Sequence, residues 1–578
     1  MNKFAVYHIT DVPYAYAKNI NTLTIRIRTA KNDLNNCYIY YKDRFGNDDP
    51  FLKKEMSLVS EGEFYSYYET DLSINKNRYK YIFELIDKNN DIYILDERGF
   101  KKSVYECIDT NSFQFPYISP DDVYEEIKIL QESIVYQIFP DRFCKGFNIN
   151  NPNTTTSWGD ENINSKSVLG GNLQGIIDKL DYIESLGINL LYLTPVFKSS
   201  SNHKYNTCNY YEIDEAFGDT VIAKSLIDKC HEKGIKVIFD AVFNHSGDDF
   251  FAFQDVIKNG ENSKYKDWYI INSFPIDQEK INYYTFANNI REMPKLNTSN
   301  EEVQDYFINV GKYWINEIGI DGWRLDVSDE VSHNFWKNFR KGIKSLNKDL
   351  IIIGEIFHNG FNFLRGDEFD CIMNYTFKNA CVDFFAKGII DAEDFLNILS
   401  ENRMLYMNSI SRQMWNLLGS HDTKRFINEC QFDISSMKLA LVFQFSYIGV
   451  PYIYYGDEIG LTGEDDPLNR KCMIWDTSKQ NNDLLDLYKL LIKLRKKYKS
   501  LIYGTFTPIY YKDNLLIFKR ELPDESILIC LNKDTKDIDA KLNFDINGFD
   551  LINKSLININ KHNSINFKSM EYKIIKLQ

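Results

Sequence analysis

The sequence predicts an α/β chain centred on a (β/α)8 TIM barrel, with a β-sandwich domain before it and an antiparallel β-sheet domain after it. Three observations predict this. Eight nearly continuous apolar runs alternate with amphipathic stretches between residues 133 and 456. Such runs suit parallel strands buried on both faces, and eight of them close a barrel. Before that region, and again after about residue 503, short β-branched and aromatic runs are separated by turn residues instead.

Residues 1–120 read as the sandwich. LTIRIRT (23–29), CYIYYK (37–42), EFYSYYE (63–69), YKYIFEL (79–85) and DIYILD (91–96) are its strands, and polar stretches such as RFGNDD divide them. The two prolines of FPYISP (115–120) mark its end. The barrel is expected over 121–502. Its runs are SIVYQIF (133–139), NLLYLTPVF (189–197), KVIFDAVF (236–243), GWRLDV (322–327), IIIGEI (351–356), FDCIMNY (369–375), QMWNLLG (413–419) and PYIYYG (451–456). Stretches such as NLQGIIDKLDYIESLG and NEEVQDYFINVGKYWINEIG have the apolar spacing of helices between them. The longest gap follows the third run, so residues 246–296 are expected to form a short inserted loop domain over the barrel mouth. NLLIFKREL, SILICLNK and YKIIKL define the C-terminal β domain, 503–578. Asn- and Lys-rich pieces such as LINKSLININKHN are expected to be its surface loops.

Composition narrows the partners. The 578 residues exceed what one core can organise. A formal net charge of −14 repels phosphate backbones, so no nucleic acid is expected. No apolar run approaches the ~18–20 residues of a membrane span, so no membrane is expected either. The start, MNKFAVYHITDVPYAY, lacks a basic segment followed by an apolar one, so no secretory signal is read. The ten cysteines are scattered, without a Cys-x-x-Cys pair. Neither a zinc site nor a disulfide framework is indicated. A cytoplasmic chain with reduced thiols is the expectation.

In a barrel, chemistry collects where strands end. The third run holds Asp240 and leads into Asn244 and His245. The fourth holds Arg324 and Asp326, the fifth Glu355, and the seventh leads into Ser420, His421 and Asp422. A single acid at a strand end is often merely solvated. Four ionisable clusters at four such ends point to one site. Three of the acids fit cleavage of a glycosidic bond, which needs one ionised carboxylate to attack and one protonated carboxyl to give the leaving oxygen its proton. Arg324 and Asp326 are two apart on a strand and so share a face. A fixed cation there would keep Asp326 ionised, as a nucleophile requires. Glu355 follows an apolar run without a close basic neighbour and suits the acid. Asp422 would hold substrate hydroxyls. The 39 tyrosines and 40 phenylalanines offer flat faces to sugars, although most serve the core.

The blocks DAVFNH (240–245), GWRLDVSDE (322–330), GEIFHN (354–359) and GSHDT (419–423) resemble the four signature regions of the α-amylase superfamily, in the same order. MPKLN (293–297) resembles the motif of its neopullulanase, cyclomaltodextrinase and maltogenic amylase branch. The likeness extends to IFPDRF (138–143), SNHKY (201–205), YGDEIG (455–460) and DPLNR (466–470), and so covers nearly the whole chain. The resemblance implies Asp326 as nucleophile, Glu355 as acid/base and Asp422 as transition-state stabiliser. It implies that Arg324 fixes the nucleophile and that His245 and His421 bind sugar hydroxyls. Tyr205 would stack under the reacting glucose, Asp240 would be a structural acid of the pocket, and Asp466 and Arg470 would grip the non-reducing side. His203 stays open between a core role and a ligand role. The N-terminal domain resembles a starch-binding-like module that in this branch commonly builds a homodimer and covers the partner's active site. The alternative is that it only stabilises the barrel.

Two departures stand out. The branch often carries calcium after the first barrel strand. Here Lys145 and Phe147 replace two ligands and Asn172 replaces an acid, so the site beside Asn148 reads as lost and no cofactor is expected. Phe357 stands where the branch usually has Trp, which bears on acceptor sugars. The resemblance implies a retaining hydrolase of α-1,4, and in some members α-1,6, glucosidic bonds in maltooligosaccharides, cyclodextrins, pullulan or starch. A transglycosylase or α-1,6-glucosidase on the same barrel is the nearest alternative. A non-catalytic sugar-binding homologue normally lacks one of the three acids, and all three are present.

Overall fold

A computed structural model describes every residue except 47–48, 104–110, 125 and 147–153. The chain divides into two compact units. The first holds Met1–Glu126 with two later pieces, Leu364–Gly366 and Glu393–Ser411. The second holds Ile127–Phe363, Asp367–Ala392 and Arg412–Gln578.

The first unit contains two antiparallel sheets. One orders Ala15–Asn19, Thr22–Ala30, Tyr65–Leu72 and Ser57–Glu61. The other orders Leu52–Glu55, Leu34–Asp43, Tyr79–Asp87, Ile92–Asp96 and Gly99–Lys101, with Phe113–Phe115 also paired to Tyr79–Asp87. Alternate residues point inward. Leu23, Ile25 and Ile27 from one sheet meet Ile39, Tyr81, Phe83 and Leu85 from the other in one buried cluster. The five strands expected from sequence are present. Leu52–Glu55 escaped notice because LKKE is exposed throughout and carries no buried face. Arg26 is fully buried. It pairs with Glu69 at 2.9 Å and donates to the carbonyls of Met404 and Tyr406 at 3.0 and 3.1 Å. That guanidinium ties the late piece Glu393–Ser411 into this unit.

The second unit contains the barrel. Its strands are β1 (Val135–Ile138), β2 (Leu190–Leu193), β3 (Lys236–Ala241), β4 (Gly322–Leu325), β5 (Ile351–Gly354), β6 (Cys371–Ile372), β7 (Trp415–Leu417) and β8 (Val450–Tyr454). One falls in each of the eight apolar runs. They pair in parallel in the order β6-β5-β4-β3-β2-β1-β8-β7. A parallel bridge from Met373 to Trp415 joins the two ends and closes the ring. Apart from Lys236 at the start of β3, every strand residue is buried, as expected for strands covered on both faces. The register sets Asp240 beside Arg324 on adjacent strands.

The excursion after β3 begins with a helix, Phe251–Asn259, and returns through bridges pairing Tyr269 with Leu296, Thr285 with Pro294 and His245 with Lys295. It thus brings residues 285–295 back to the end of β3. The C-terminal part is a six-stranded antiparallel sheet, Thr505–Lys512, Leu515–Leu522, Glu525–Asn532, Tyr572–Leu577, Ile546–Asp550 and Ser555–Ile559, with a second pair, Ile538–Lys541 and Ser564–Phe567. The stretch LINKSLININKHN corrects the expectation of a loop, for it contains the strand Ser555–Ile559. That strand lies at the sheet edge and has no fully buried residue, so its polar composition masked it. Among the described residues no helix is long and apolar enough to cross a membrane.

Candidate active site

The ends of β3, β4, β5 and β7 carry the predicted acids, with Tyr205 on the loop after β2 and Asp466 and Arg470 on the loop after β8, and one side chain gathers three of the acids. Arg324, fully buried on β4, donates through Nη1 to Asp240 Oδ2 at 2.9 Å and to Asp326 Oδ1 at 2.9 Å. Its Nη2 abuts Glu355 Oε1 as an ion pair, but makes no hydrogen bond among the described residues. The two carboxylates expected to share an anomeric centre therefore share one guanidinium. Glu355 follows β5 directly, after Gly354. A Cβ at Gly354 would lie 2.5 Å from the Phe369 ring, so only glycine lets β5 run this close.

The segment after β4 also grips Glu355. The N–H of Val327 donates to Glu355 Oε2 at 3.0 Å, and Ser328 Oγ donates to the Glu355 carbonyl at 2.8 Å. Asp326 itself donates its N–H to the Ala241 carbonyl at 3.0 Å, which ties β4 to β3 where the acids emerge.

A chain of polar contacts runs along the other wall. Asp240 Oδ2 accepts from Tyr192 Oη at 2.5 Å and from Tyr205 Oη at 3.1 Å. Tyr205 is also hydrogen-bonded to His421 Nε2, with the two rings parallel at 5.5 Å. Gln137 Nε2 meets His421 Nδ1 at 2.7 Å. An amide nitrogen only donates, so Nδ1 accepts and the ring carries its proton on Nε2. Asp422 Oδ2 lies 3.2 Å from that Nε2. Arg470 links the next pair, with Nη2 at 3.4 Å from Asp422 Oδ1 and Nη1 at 3.2 Å from Asp466 Oδ1. His203 accepts the Tyr205 N–H at Nδ1, at 3.1 Å, and its ring lies against Tyr205. Its placement makes it a brace for Tyr205. His245, buried after β3, stacks on Phe286 at 5.0 Å. Phe357 is 53% exposed and stacks on Tyr375 at 4.0 Å.

Nine of the eleven residues predicted from sequence are thus joined in one chain of contacts, and the other two, His245 and Phe357, each stack on a further ring. Five more belong with them: Gln137, Tyr192, Phe286, Val327 and Tyr375. A buried glutamine inside the apolar run SIVYQIF was a visible signal for the first. The role of Val327 lies in its backbone, which side-chain reasoning does not see.

Crowding perturbs the acids. Burial raises Asp240 to about 6, against the pull of Arg324 and the Tyr192 hydroxyl. Burial and then Glu355 raise Asp422 to about 7, with Arg470 and Arg324 opposing. Burial and Glu355 also push Asp326 above the usual carboxylate range, and Arg324 pulls it back. Carboxylates this close share protons and titrate as a group. Burial, then the charges of Arg470 and Arg324, hold His421 well below its ordinary value and therefore neutral.

The calcium expectation falls partly outside the described residues, since Phe147 and Asn148 lie there. Of those described, Asn172 caps the helix Leu173–Ile177, and its Oδ1 accepts from Gly175 N at 2.8 Å and Gly146 N at 3.1 Å. Asp141 accepts the N–H groups of Leu169 and Gly170 and pairs with Arg142 at 2.7 Å. The Lys145 ammonium lies toward the Trp158 ring, 5.8 Å from its centre.

Comparison with known proteins agrees with this geometry. The α-amylase catalytic domain matches residues 137–504, and the α-amylase N-terminal Ig-like domain matches residues 1–119. A cyclomaltodextrinase of Thermoanaerobacter pseudethanolicus is 48% identical over 537 residues, 93% of either chain. Neopullulanase 2 of Thermoactinomyces vulgaris is 42% identical over 534 residues, 91% of this chain and 90% of that one. A solved cyclomaltodextrinase structure superposes with a TM-score of 0.95 at 39% identity, covering 100% of both chains. With its barrel, its N-terminal sandwich and four acids converging at the strand ends, the chain belongs to the α-amylase family of glycoside hydrolases.

Proposed function

We propose that the chain hydrolyses α-glucosidic bonds of short or cyclic dextrins with net retention, using Asp326 as nucleophile and Glu355 as acid/base. The observation that carries this is the Arg324 guanidinium. It is hydrogen-bonded to Asp326 and ion-paired with Glu355, so the two carboxyl groups meet at one cation. The roles within the pair follow the match of GWRLD and GEIFHN to the family's signature blocks. In the first step Asp326 attacks the anomeric carbon while Glu355 gives its proton to the glycosidic oxygen, and the C–O bond to the leaving sugar breaks. In the second, Glu355 takes a proton from water, the water oxygen bonds to the anomeric carbon, and Asp326 leaves. Two inversions return the original configuration. Asp422, reaching toward the pocket beside His421, would hold ring hydroxyls. Tyr205 would supply the flat face under the reacting sugar, and Asp466 and Arg470 would hold its non-reducing side.

The relatives' names, cyclomaltodextrinase and neopullulanase, support cyclic dextrins and pullulan as the substrates to try first. Incubation with β-cyclodextrin, pullulan, starch and maltooligosaccharides tests the reading. Release of α-configured products in the first minutes supports it, and no release from any of the four rejects it. Linkage analysis of the products separates hydrolysis from transfer and α-1,4 from α-1,6 cleavage.

Three further readings belong to the proposal. No metal is required, a reading supported by Asn172 and Asp141, which among the described residues after β1 are engaged with backbone amides. The protein works in a reducing compartment, the cytoplasm, a reading supported by the nine described cysteines, all of them free. The N-terminal unit forms a homodimer, a reading supported by its exposed Phe45, Leu52, Leu58, Phe64 and Tyr117. A monomeric mass in solution would reject the last.

A further inference from the structure

The MPKLN motif (293–297) lies beside His245. We propose that its lysine, Lys295, is a positioning residue that sets the ring tautomer of His245 through Asn244, so that His245 presents Nε2–H to a sugar hydroxyl. Recognition of a sugar rests on the proposed function, whereas the tautomer does not.

The relay follows from donors and acceptors. The Lys295 ammonium is hydrogen-bonded to the side chain of Asn244. An ammonium has only donors, so the atom it meets is the amide oxygen. With Oδ1 engaged, Nδ2 of Asn244 faces His245 Nδ1 at 3.3 Å. That nitrogen only donates, so Nδ1 must accept, and a neutral imidazole then holds its proton on Nε2. Burial drives the His245 pKa down to about 3, helped by the Lys295 charge and opposed by the Tyr205 carbonyl. The ring is therefore neutral at working pH. Nε2 is buried and makes no full hydrogen bond among the described residues, and the Tyr205 carbonyl is a backbone acceptor that acts on the ring. A buried donor left so poorly paired accommodates a ligand.

The relay is held at both ends. Lys295 also reaches Glu330 Oε2 at 2.9 Å and the Glu330 carbonyl at 3.2 Å, four residues beyond Asp326. Its backbone is bridged to that of His245, with Leu296 N on the Asn244 carbonyl at 3.0 Å and Ser246 N on the Pro294 carbonyl at 3.1 Å. Phe286 lies against the ring and hinders its rotation. Asn244 is fully buried. Without the ammonium, its amide could turn over and offer oxygen to Nδ1. The ring would then carry its proton on Nδ1, and Nε2 would become an acceptor.

The test reads the tautomer directly, by magic-angle-spinning NMR of the ligand-free protein labelled in the histidine ring nitrogens. The signal is assigned with His245→Gln. The wild type is expected to show Nε2–H alone, and Lys295→Met a population with Nδ1–H. Lys295→Arg, which restores a donor to Oδ1, should return the wild-type spectrum. Asn244→Asp should place the proton on Nδ1 even with Lys295 present, because a carboxylate offers oxygen to both neighbours. On β-cyclodextrin, Lys295→Met should lower kcat/KM about tenfold, the worth of one well-placed hydrogen bond, with Lys295→Arg closer to wild type. Nδ1–H in the wild type, or an unchanged spectrum in Lys295→Met, would overturn the relay. A changed spectrum with unchanged kcat/KM would overturn its service to the sugar. Failure of the hydrolase reading would appear separately, as a wild type that releases no sugar.

Discussion

Val327 donates its N–H to Glu355 from a left-handed backbone, φ +44° and ψ +46°. A β-branched residue rarely adopts that conformation, and the cost is about 1–2 kcal/mol. The bond it makes is to the carboxyl proposed as the acid/base, so strain sits where it aims a donor at a reacting group.

Val327→Gly separates the strain from the aim. Glycine adopts the same backbone freely but adds about 0.5–1 kcal/mol of unfolded-state entropy. These terms nearly cancel, so the melting temperature should stay within about 2 °C of wild type. The freed backbone holds Glu355 less firmly, so kcat should fall several-fold. Calorimetry with initial rates on one dextrin checks both. A large loss of stability would show that the side chain, not the backbone, matters here.

Asp326→Asn removes the proposed nucleophile and nearly keeps its shape. The amide oxygen can still accept from Arg324, so the pocket should remain built. Turnover should drop by roughly 10⁴-fold or more, as when other covalent catalysts lose their nucleophile. Binding of maltooligosaccharides, measured by calorimetry, should persist. Retained turnover would remove Asp326 from the mechanism.

Much of this site was legible because its residues end apolar runs. Asp240, Asp326 and Glu355 lie on or just after buried strands, where an acid has no structural reason to be. Arg324 was legible because a spacing of two on a strand means a shared face. What sequence could not supply was contact between strands. Arg324 reaches Glu355 just after β5 as well as its own neighbour, and Tyr192 on β2 reaches Asp240 on β3. The expectation that Glu355 stands apart from any cation counted only neighbours along the chain. In the fold, the strand exposed at the C-terminal edge and the backbone role of Val327 were hidden for the same reason: neither leaves an apolar period.

Arg324→Lys tests the shared cation. A lysine ammonium is a point charge and cannot span Asp240, Asp326 and Glu355 as a planar fork does. Arg324 lowers the Asp326 pKa in the folded site. Weaker attraction lets the carboxylate hold its proton to higher pH. The acid limb of the kcat/KM profile should therefore move upward, and the maximal rate should fall. A profile that only drops in height, with its acid limb unmoved, would show that Arg324 does not set the ionisation of the nucleophile.

Chelation tests the metal reading. Asn172 Oδ1 is engaged by two N–H groups, and Asp141 by Leu169, Gly170 and Arg142. Dialysis against EDTA should leave both melting temperature and rate unchanged, and added calcium should restore nothing. A bound structural ion that stabilises only the folded state would shift the melting temperature with its concentration.

The raised acids make stability itself depend on pH. Asp422 holds its proton to about pH 7 and Asp240 to about 6, against 3.8 for an ordinary aspartate. Between those values the folded chain binds protons that the unfolded chain has released. Stability therefore falls as pH rises, from its full value below the unfolded pKa to its lowest above the folded one. Asp422→Asn cannot ionise and so escapes its share of that fall. The melting temperature of Asp422→Asn relative to wild type should therefore climb from about pH 4 to pH 7 and then level off. A difference that is flat across the range would mean that Asp422 is ionised throughout, and that the crowding of four acids around Arg324 is relieved in some other way.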